Sequence, residues 1–443
     1  MLTSSSGSAV SSASESTPAP PSGAGTPAHR GARFAARRLA ATYYLYVFLD
    51  EFVLLYPLYA LLFTDTGLSV AQVSSLFVIW SVTCVVLEVP SGVLADVVSR
   101  RLLLVLAPLL GGIGFGLWVA APAYWVFALG FVLWGARGAL QSGAAEALLY
   151  EELDRLDQAD RYGRVLGRST TVGLVAGMLA TLAAGPVFVA GGYRAVGAAS
   201  VLASVGCAVA ALALPEHRSD SKADSAADSA DPAGAAAAGD PGYIAVLRAG
   251  LAEARGDRAV RQALLLLPLI AAIWTGLEEY VPLLAGDVAP VRFVPLLVLM
   301  VGVGVALGGL ATPVGQRLGP RRFAGLLAAA AVLLAAGALS GRPAGFVLIA
   351  VAFGALQLAQ LVADVRLQER ITGPTRATVT SLAGLGTEVI SLGVFGGYAL
   401  LATLLGNGMA VALLAMPYLC IAVAYYRTTR DRASGPVPAE PVG

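Results

Sequence analysis

The sequence is poor in charge. Asp, Glu, Lys and Arg make up 13% of its 443 residues, where a soluble chain carries roughly a quarter. Lysine is nearly missing, since Lys222 stands alone. That excludes the phosphate-binding loop Gly-x-x-x-x-Gly-Lys-Ser/Thr, so energy is not drawn from ATP by that route. Histidine occurs only at His29 and His217, and both lie outside the apolar stretches. Neither a His-built metal site nor an intramembrane histidine relay can be assembled from them. Cys84, Cys207 and Cys420 each sit inside an apolar stretch, and no disulfide is expected. A net charge of +1, with no basic patch interleaved with aromatics, gives nucleic acid no purchase. Nothing asks for a cofactor or a metal.

What is present is apolar. Hydrophobic residues make up 57% of the chain, and the mean hydropathy is +0.75. Apolar runs long enough to span a bilayer, about 20 residues each, recur along it. Twelve spans can be drawn, near 42–63, 70–93, 101–121, 123–149, 168–190 and 193–214, then 262–285, 291–313, 322–340, 343–366, 376–403 and 406–427. The expected organisation is a disordered Ser/Ala/Pro-rich tail at 1–38, a six-helix bundle at 39–214 and a linker at 215–261. A second six-helix bundle at 262–429 and a short tail at 430–443 follow. Within the linker, Ile244, Leu247, Leu251 and Ala254 share one helical face beside arginines, the pattern of a helix lying on a membrane surface. Of the 29 Lys and Arg residues, all but Arg137, Arg194, Arg292 and Arg342 fall on the side that holds both termini. By the positive-inside rule that side is cytoplasmic. The expectation is therefore a multi-pass protein of a bacterial cytoplasmic membrane, monomeric, with the lipid bilayer as its environment.

The loop after the second span reads EVPSGVLADVVSRR, residues 88–101. Gly92 and Asp96 lie four apart on one helix face, and Arg100 and Arg101 follow. This stretch resembles the signature loop of the major facilitator superfamily of secondary transporters, roughly G-x-L-A-D-R-x-G-R-R. Gly92, Leu94, Ala95, Asp96, Arg100 and Arg101 match; Val97 replaces the usual basic residue and Ser99 the usual glycine. After the eighth span, ATPVGQRLGPRR (residues 311–322) echoes the loop, with Gln316 where the acid falls. The resemblance covers roughly residues 40–428. It implies an all-α membrane fold of twelve helices in two pseudo-symmetric six-helix bundles, with a binding site between the halves near the midplane. It also implies that Gly92, Asp96, Arg100 and Arg101 form a cytoplasmic gate, with Glu88 as a brace beside Pro90.

Charges inside a span persist only when they face the bundle interior or water. Asp50 and Glu51 lie near the middle of the first span, and Tyr43, Tyr46 and Asp50 share one stripe. Two readings stand: a cavity wall for a cation, or packing aromatics with a structural acid. Adjacent acids point about 100° apart, so one of the two is expected to face the cavity. The fourth span carries Arg137 and Glu146 in WGARGALQSGAAEALLYEEL. This resembles the superfamily's fourth-helix motif R-x-x-x-G-x-G-A-A, with Gln141 where glycine is usual, and Gly143, Ala144 and Ala145 in place. The resemblance links Arg137 to proton transfer. A permanent guanidinium cation holds a neighbouring carboxylate ionised until substrate or proton displaces it, unless the pair is a fixed brace. In the fifth span, Gly185, Pro186, Gly191 and Gly192 resemble an antiporter motif ending G-P-x-x-G-G, but four residues rather than two separate Pro186 from Gly191. Close packing and a kink explain these glycines equally well.

The seventh span holds Glu278 and Glu279 beside Trp274 and Tyr280. The tenth has a polar stripe with Gln357 and Gln360, and the eleventh an isolated acid, Glu388. The candidate substrate and proton-coupling residues are thus Asp50, Glu51, Arg137, Glu146, Glu278 and Glu388. Tyr43, Tyr46, Trp274, Gln357 and Gln360 are expected to line the cavity. The expected function is alternating-access transport of a small molecule rather than enzymatic catalysis. Proton-coupled export of a lipophilic or cationic compound, as in a drug-efflux-like antiporter, is the first reading, and proton-coupled uptake of a small metabolite the second. A membrane-embedded enzyme or receptor explains less.

Overall fold

The computed structural model of the chain describes residues 27–217, 258–369 and 376–433, and every regular element among them is helical. The greater part of the expected linker, with its amphipathic helix, lies outside the described residues.

The first helix, α1 (Pro27–Glu51), begins well before the expected bundle boundary at residue 39. Its sequence explains why. The segment is rich in alanine and arginine, which are good helix formers. Ala36, Leu39, Tyr43 and Tyr46 make a buried stripe at helical spacing, clustered with Leu103, Leu148, Leu149 and Leu153. Residues 27–38 are thus the base of a helix rather than part of a disordered tail.

The first span is not one helix. α1 stops at Glu51, residues 52–58 turn around Pro57, and α2 (Tyr59–Asp65) resumes. Non-helical backbone at membrane depth needs partners inside the protein. The Leu55 amide finds one in Ser200 Oγ at 3.1 Å. α3 (Val70–Val97), α4 (Arg100–Ala120) and α5 (Tyr124–Gln141) follow. The expected fourth span is also split: Gly143 takes φ +73°, a left-handed conformation that favours glycine, and separates α5 from α6 (Ala144–Arg155). α7 (Tyr162–Leu212) supplies two passes, turned back at Gly191 and Gly192, where Gly192 has φ +62°.

The second half comprises α8 (Arg258–Glu278), α9 (Val281–Gly286), α10 (Val294–Leu310) and α11 (Thr312–Gly315). It continues through α12 (Pro320–Leu339), α13 (Gly345–Gln368), α14 (Arg376–Leu405) and α15 (Asn407–Ala433). Its first span repeats the interruption of the first half: α8 ends at Glu278 and α9 restarts at Val281, with Pro282 in its first turn. Eight helical stretches among the described residues are long and apolar enough to cross a membrane, and Ala159–Leu212 contains two passes. The three remaining spans are α1 with α2, α5 with α6 and α8 with α9, each broken in two.

The packing repeats as well. In the first half α1 and α4 pack on α7, and α3 and α4 pack on α5. Six spans later α8 packs on α14, α12 on α15, and α10 and α12 on α13. Between the halves α3 meets α14 and α7 meets α10, two contacts that exchange under the same shift. The architecture is therefore two six-span bundles related by a pseudo-twofold axis. Leu202, Leu310, Val189 and Leu404 point outward with most of their surface uncovered. In water that would be a liability; in a bilayer it is the ordinary outer face.

Bundle contacts are tightest where glycines let backbones meet. A Cβ at Gly304 on α10 would collide with the Ala350 carbonyl on α13, and one at Gly308 with the Gly354 carbonyl. Gly308→Val is therefore expected to destabilise the purified protein by about 1–3 kcal/mol or more through overpacking. Gly325→Val, where nothing lies within 4 Å, is expected to change it little. Thermal unfolding in detergent checks the pair.

Candidate functional site

The polar interior of the first half is built around the end of α1. Asp50 and Arg137, on α5, form an ion pair at 2.6 Å, each side chain only 8% exposed. The same Arg137 Nη2 donates to the Asp50 main-chain carbonyl at 3.1 Å, and Nη1 donates to the Tyr56 hydroxyl at 3.1 Å. One guanidinium thus neutralises the carboxylate and also caps the last turn of α1, whose carbonyls have no intrahelical donors. Gln141, one turn beyond Arg137, donates from Nε2 to Asp50 Oδ2 at 2.7 Å and to the Tyr46 hydroxyl at 3.1 Å. Cys207 Sγ approaches Asp50 Oδ1 at 3.8 Å. Space for the arginine comes from Gly111 on α4, where a Cβ would stand 2.8 Å from Arg137 Cδ. Arg137 Nε is buried without a hydrogen-bond partner.

Between the halves lies a cavity of about 670 Å³. Its wall takes Glu51, Tyr56 and Tyr59 from the broken first span, Trp134 from α5, Gly173 and Gly177 from α7, and Glu278, Glu279 and Pro282 from the broken seventh span. The adjacent acids of the first span are divided as expected, Asp50 turned into its own bundle and Glu51 toward the cavity. Tyr56 stacks on Trp134 at 5.4 Å, and Trp134 on Trp80 at 5.4 Å. Three carboxylates and a sheet of aromatic rings therefore line one hollow, and no Arg, Lys or His is among the lining residues. Such a surface attracts a cation by charge and by the faces of its rings.

Among the described residues, side-chain contacts joining the halves include several at the end of the bundle away from the termini. The Tyr59 hydroxyl donates to the Glu279 carboxylate. The Tyr280 hydroxyl donates to Ser74 Oγ at 2.8 Å, and Phe77 packs edge-on against Tyr280 at 5.3 Å. Nearer the middle, Ser81 Oγ donates to Glu388 at 2.6 Å.

Several expected positions differ. Tyr43 and Tyr46 are buried in the first-half core and stack on each other, so they pack rather than line the cavity. Their stripe turns inward because α1 lies against α7. Trp274 is also buried; its Nε1 donates to Gln360 at 2.7 Å, and its ring meets Phe353, so this pair braces α8 against α13. Gln357 is half-buried on α13 and, with Trp274 and Gln360, is not among the lining residues. Glu146 falls beyond the Gly143 break, exposed in the first turn of α6, and is neither a partner in the ion pair nor among the cavity-lining residues. Glu388 lies at the α3–α14 contact instead of in the cavity.

In the loop after the second span, Arg100 pairs with Glu151 on α6, and Arg101 is exposed. Ser99 caps α4 by accepting from the Leu102 amide at 3.1 Å and donates to Glu216, which also accepts from the Arg100 amide at 2.8 Å. Serine at the usual glycine position thus has a structural use here. The side chains of Glu88 and Asp96 and the surroundings of Gly92 are outside what the structure describes. Sequence reasoning did not single out Tyr56, Tyr59 and Trp134. The one available signal was Tyr-Pro-x-Tyr at 56–59, a polar aromatic pair around a proline inside an apolar run.

The family model described as Major Facilitator Superfamily matches residues 40–363 of the chain. Comparison with curated protein sequences gives no match. Among solved structures the chain is similar to the nucleoside transporter NupG, at 13% identity and TM-score 0.66, covering 91% of this chain and 100% of that one. It is similar to a bacterial homologue of the human lysosomal transporter Spinster, at 15% identity and TM-score 0.64, covering 94% and 100%. It is also similar to a D-xylose-proton symporter, at 14% identity and TM-score 0.62, covering 88% and 97%. At such identities the likeness is one of fold.

The ion pair gives a direct stability test. Arg137→Met leaves Asp50 buried without its counter-charge and is expected to cost about 3–5 kcal/mol. Adding Asp50→Leu to that variant is expected to recover much of the loss, because a pair replaced together leaves no orphaned charge. Denaturant unfolding in detergent of wild type, Arg137→Met, Asp50→Leu and the double variant measures the coupling.

Proposed function

Because the chain belongs to the major facilitator superfamily, whose members are membrane transporters and not enzymes, we propose that it moves a small organic cation through the cavity between its halves by alternating access. The observation that carries this reading is the cavity wall itself: Glu51, Glu278 and Glu279 with Tyr56, Tyr59 and Trp134, and no cationic side chain among them. Glu278 and Glu279 are adjacent carboxylates in one confined, partly apolar hollow. Protons and a cationic substrate therefore compete for the same oxygens, which is the requirement for exchange. Glu279 also accepts the Tyr59 hydroxyl across the two halves. Loading Glu279 with a proton or a cation weakens that tie and lets the closed end part. Coupling in this scheme belongs to the cavity acids, while Asp50 and Arg137 hold the frame. Charge-for-charge exchange favours proton-coupled export of a lipophilic cation, in the manner of a drug-efflux antiporter, from a bacterial cytoplasmic membrane with both termini inside. Proton-coupled uptake is the second reading, supported by the fold shared with a D-xylose-proton symporter.

Proteoliposomes with an acid interior and tetraphenylphosphonium as the external probe test it. Wild type is expected to collapse the pH gradient when the cation is added. Glu278→Gln/Glu279→Gln is expected to lower the rate about tenfold or more, as loss of a buried charge partner does. Glu146→Gln is expected to leave it unchanged. Proton movement driven equally well by a neutral sugar would sink the cationic assignment.

A further inference from the structure

A second cavity lies at the end of the first half that carries the N-terminus, between α1, the close of α6 and the start of α7. Its volume is about 340 Å³, at the small end of ligand sites. Four arginines line it: Arg37 from α1, Arg161 from the turn that leads into α7, and Arg164 and Arg168 from the first turns of α7. The last three fall at i, i+3 and i+7, so they form one stripe along the helix. Among the described residues none of the four makes an ion pair, although Arg100, Arg137 and Arg155 all find carboxylates. Four like charges gathered around one hollow repel one another, and an anion between them relieves that repulsion.

The rest of the wall says what kind of anion. The α1 face of the cleft is apolar and small, with Ala40, Ala41 and Tyr44, and Val165 closes it from α7. Farther along α1 from Arg37, inside the first span, Leu45 is 50% exposed, so the flank of the cleft toward the bilayer carries uncovered apolar surface. A hydrophilic metabolite gains nothing from such a flank. A phospholipid fits both parts, its phosphate among the guanidinium groups and its acyl chains along α1. We propose that this cleft is a binding site for the headgroup of an anionic phospholipid, and that the occupant ties α1 to α7 at the base of the first bundle. The site is separate from the transport cavity and does not depend on what that cavity carries.

The test is native mass spectrometry of the full chain released from detergent. Phosphatidylglycerol and phosphatidylcholine of identical acyl chains are offered in competition. Wild type is expected to retain phosphatidylglycerol preferentially. Arg164→Gln/Arg168→Gln is expected to lower that preference about tenfold or more, given the attraction of each basic residue for an anionic headgroup. Arg164→Lys/Arg168→Lys, which keeps the charge, is expected to retain part of it, and this variant guards against loss of fold. Arg321→Gln/Arg322→Gln, on the other half, is expected to leave the preference intact. An equal loss in that control would overturn the proposal in favour of diffuse surface charge. Displacement of the lipid by millimolar inorganic phosphate would overturn it in favour of a soluble-anion site, and no preference in wild type would overturn it outright.

Discussion

The ion pair between Asp50 and Arg137 is the constraint around which the first half is arranged. A charge in the interior of a membrane protein is tolerated when it has a partner and most of its remaining lone pairs and protons are occupied. Asp50 meets that condition through Arg137, Gln141 and the approach of Cys207. The geometry has consequences beyond charge balance. Because the guanidinium also donates to the buried main-chain carbonyl of Asp50, α1 can end there, deep in the bundle. Once the helix ends, the chain turns through residues 52–58 and brings Tyr56 and Tyr59 to the cavity wall. Arg137 then holds Tyr56 by its hydroxyl. Position of the wall follows from satisfaction of the pair.

The second half reaches a related result by a shorter route. There the acids Glu278 and Glu279 themselves stand at the helix break, next to Tyr280 and Pro282. Among the described residues no arginine pairs with them, and both face the cavity. The two halves thus share a broken first span but divide its labour. One break is locked by an internal salt bridge; the other leaves its carboxylates available to a ligand and to Tyr59 of the facing half.

Much of this is legible in the sequence. Glu51, Glu278 and Arg137 stood out because charge inside an apolar run is costly and needs a reason, and the structure brings Glu51 and Glu278 to one hollow. The stripe Tyr43, Tyr46 and Asp50 was visible too, but not which way it faced. Helical period fixes which residues share a side, and only the neighbours of α1 decide whether that side looks into a bundle or into water. Glu146 shows the same limit in another form. It shares an apparent span with Arg137, yet a left-handed glycine at position 143 redirects the chain between them. Trp274 and Gln360 are eighty-six positions apart, and no local pattern announces that they meet.

The sequence by itself determined that this chain lives in a membrane, crosses it twelve times, repeats after six crossings and carries a small set of charges there. Those are properties of composition and period, which each segment expresses alone because a bilayer leaves the backbone few choices. Which charges pair, which face the hollow and where helices break were settled only by packing. Each depends on what a distant segment presents at the same depth, as Arg137 does to Asp50 and Glu279 to Tyr59.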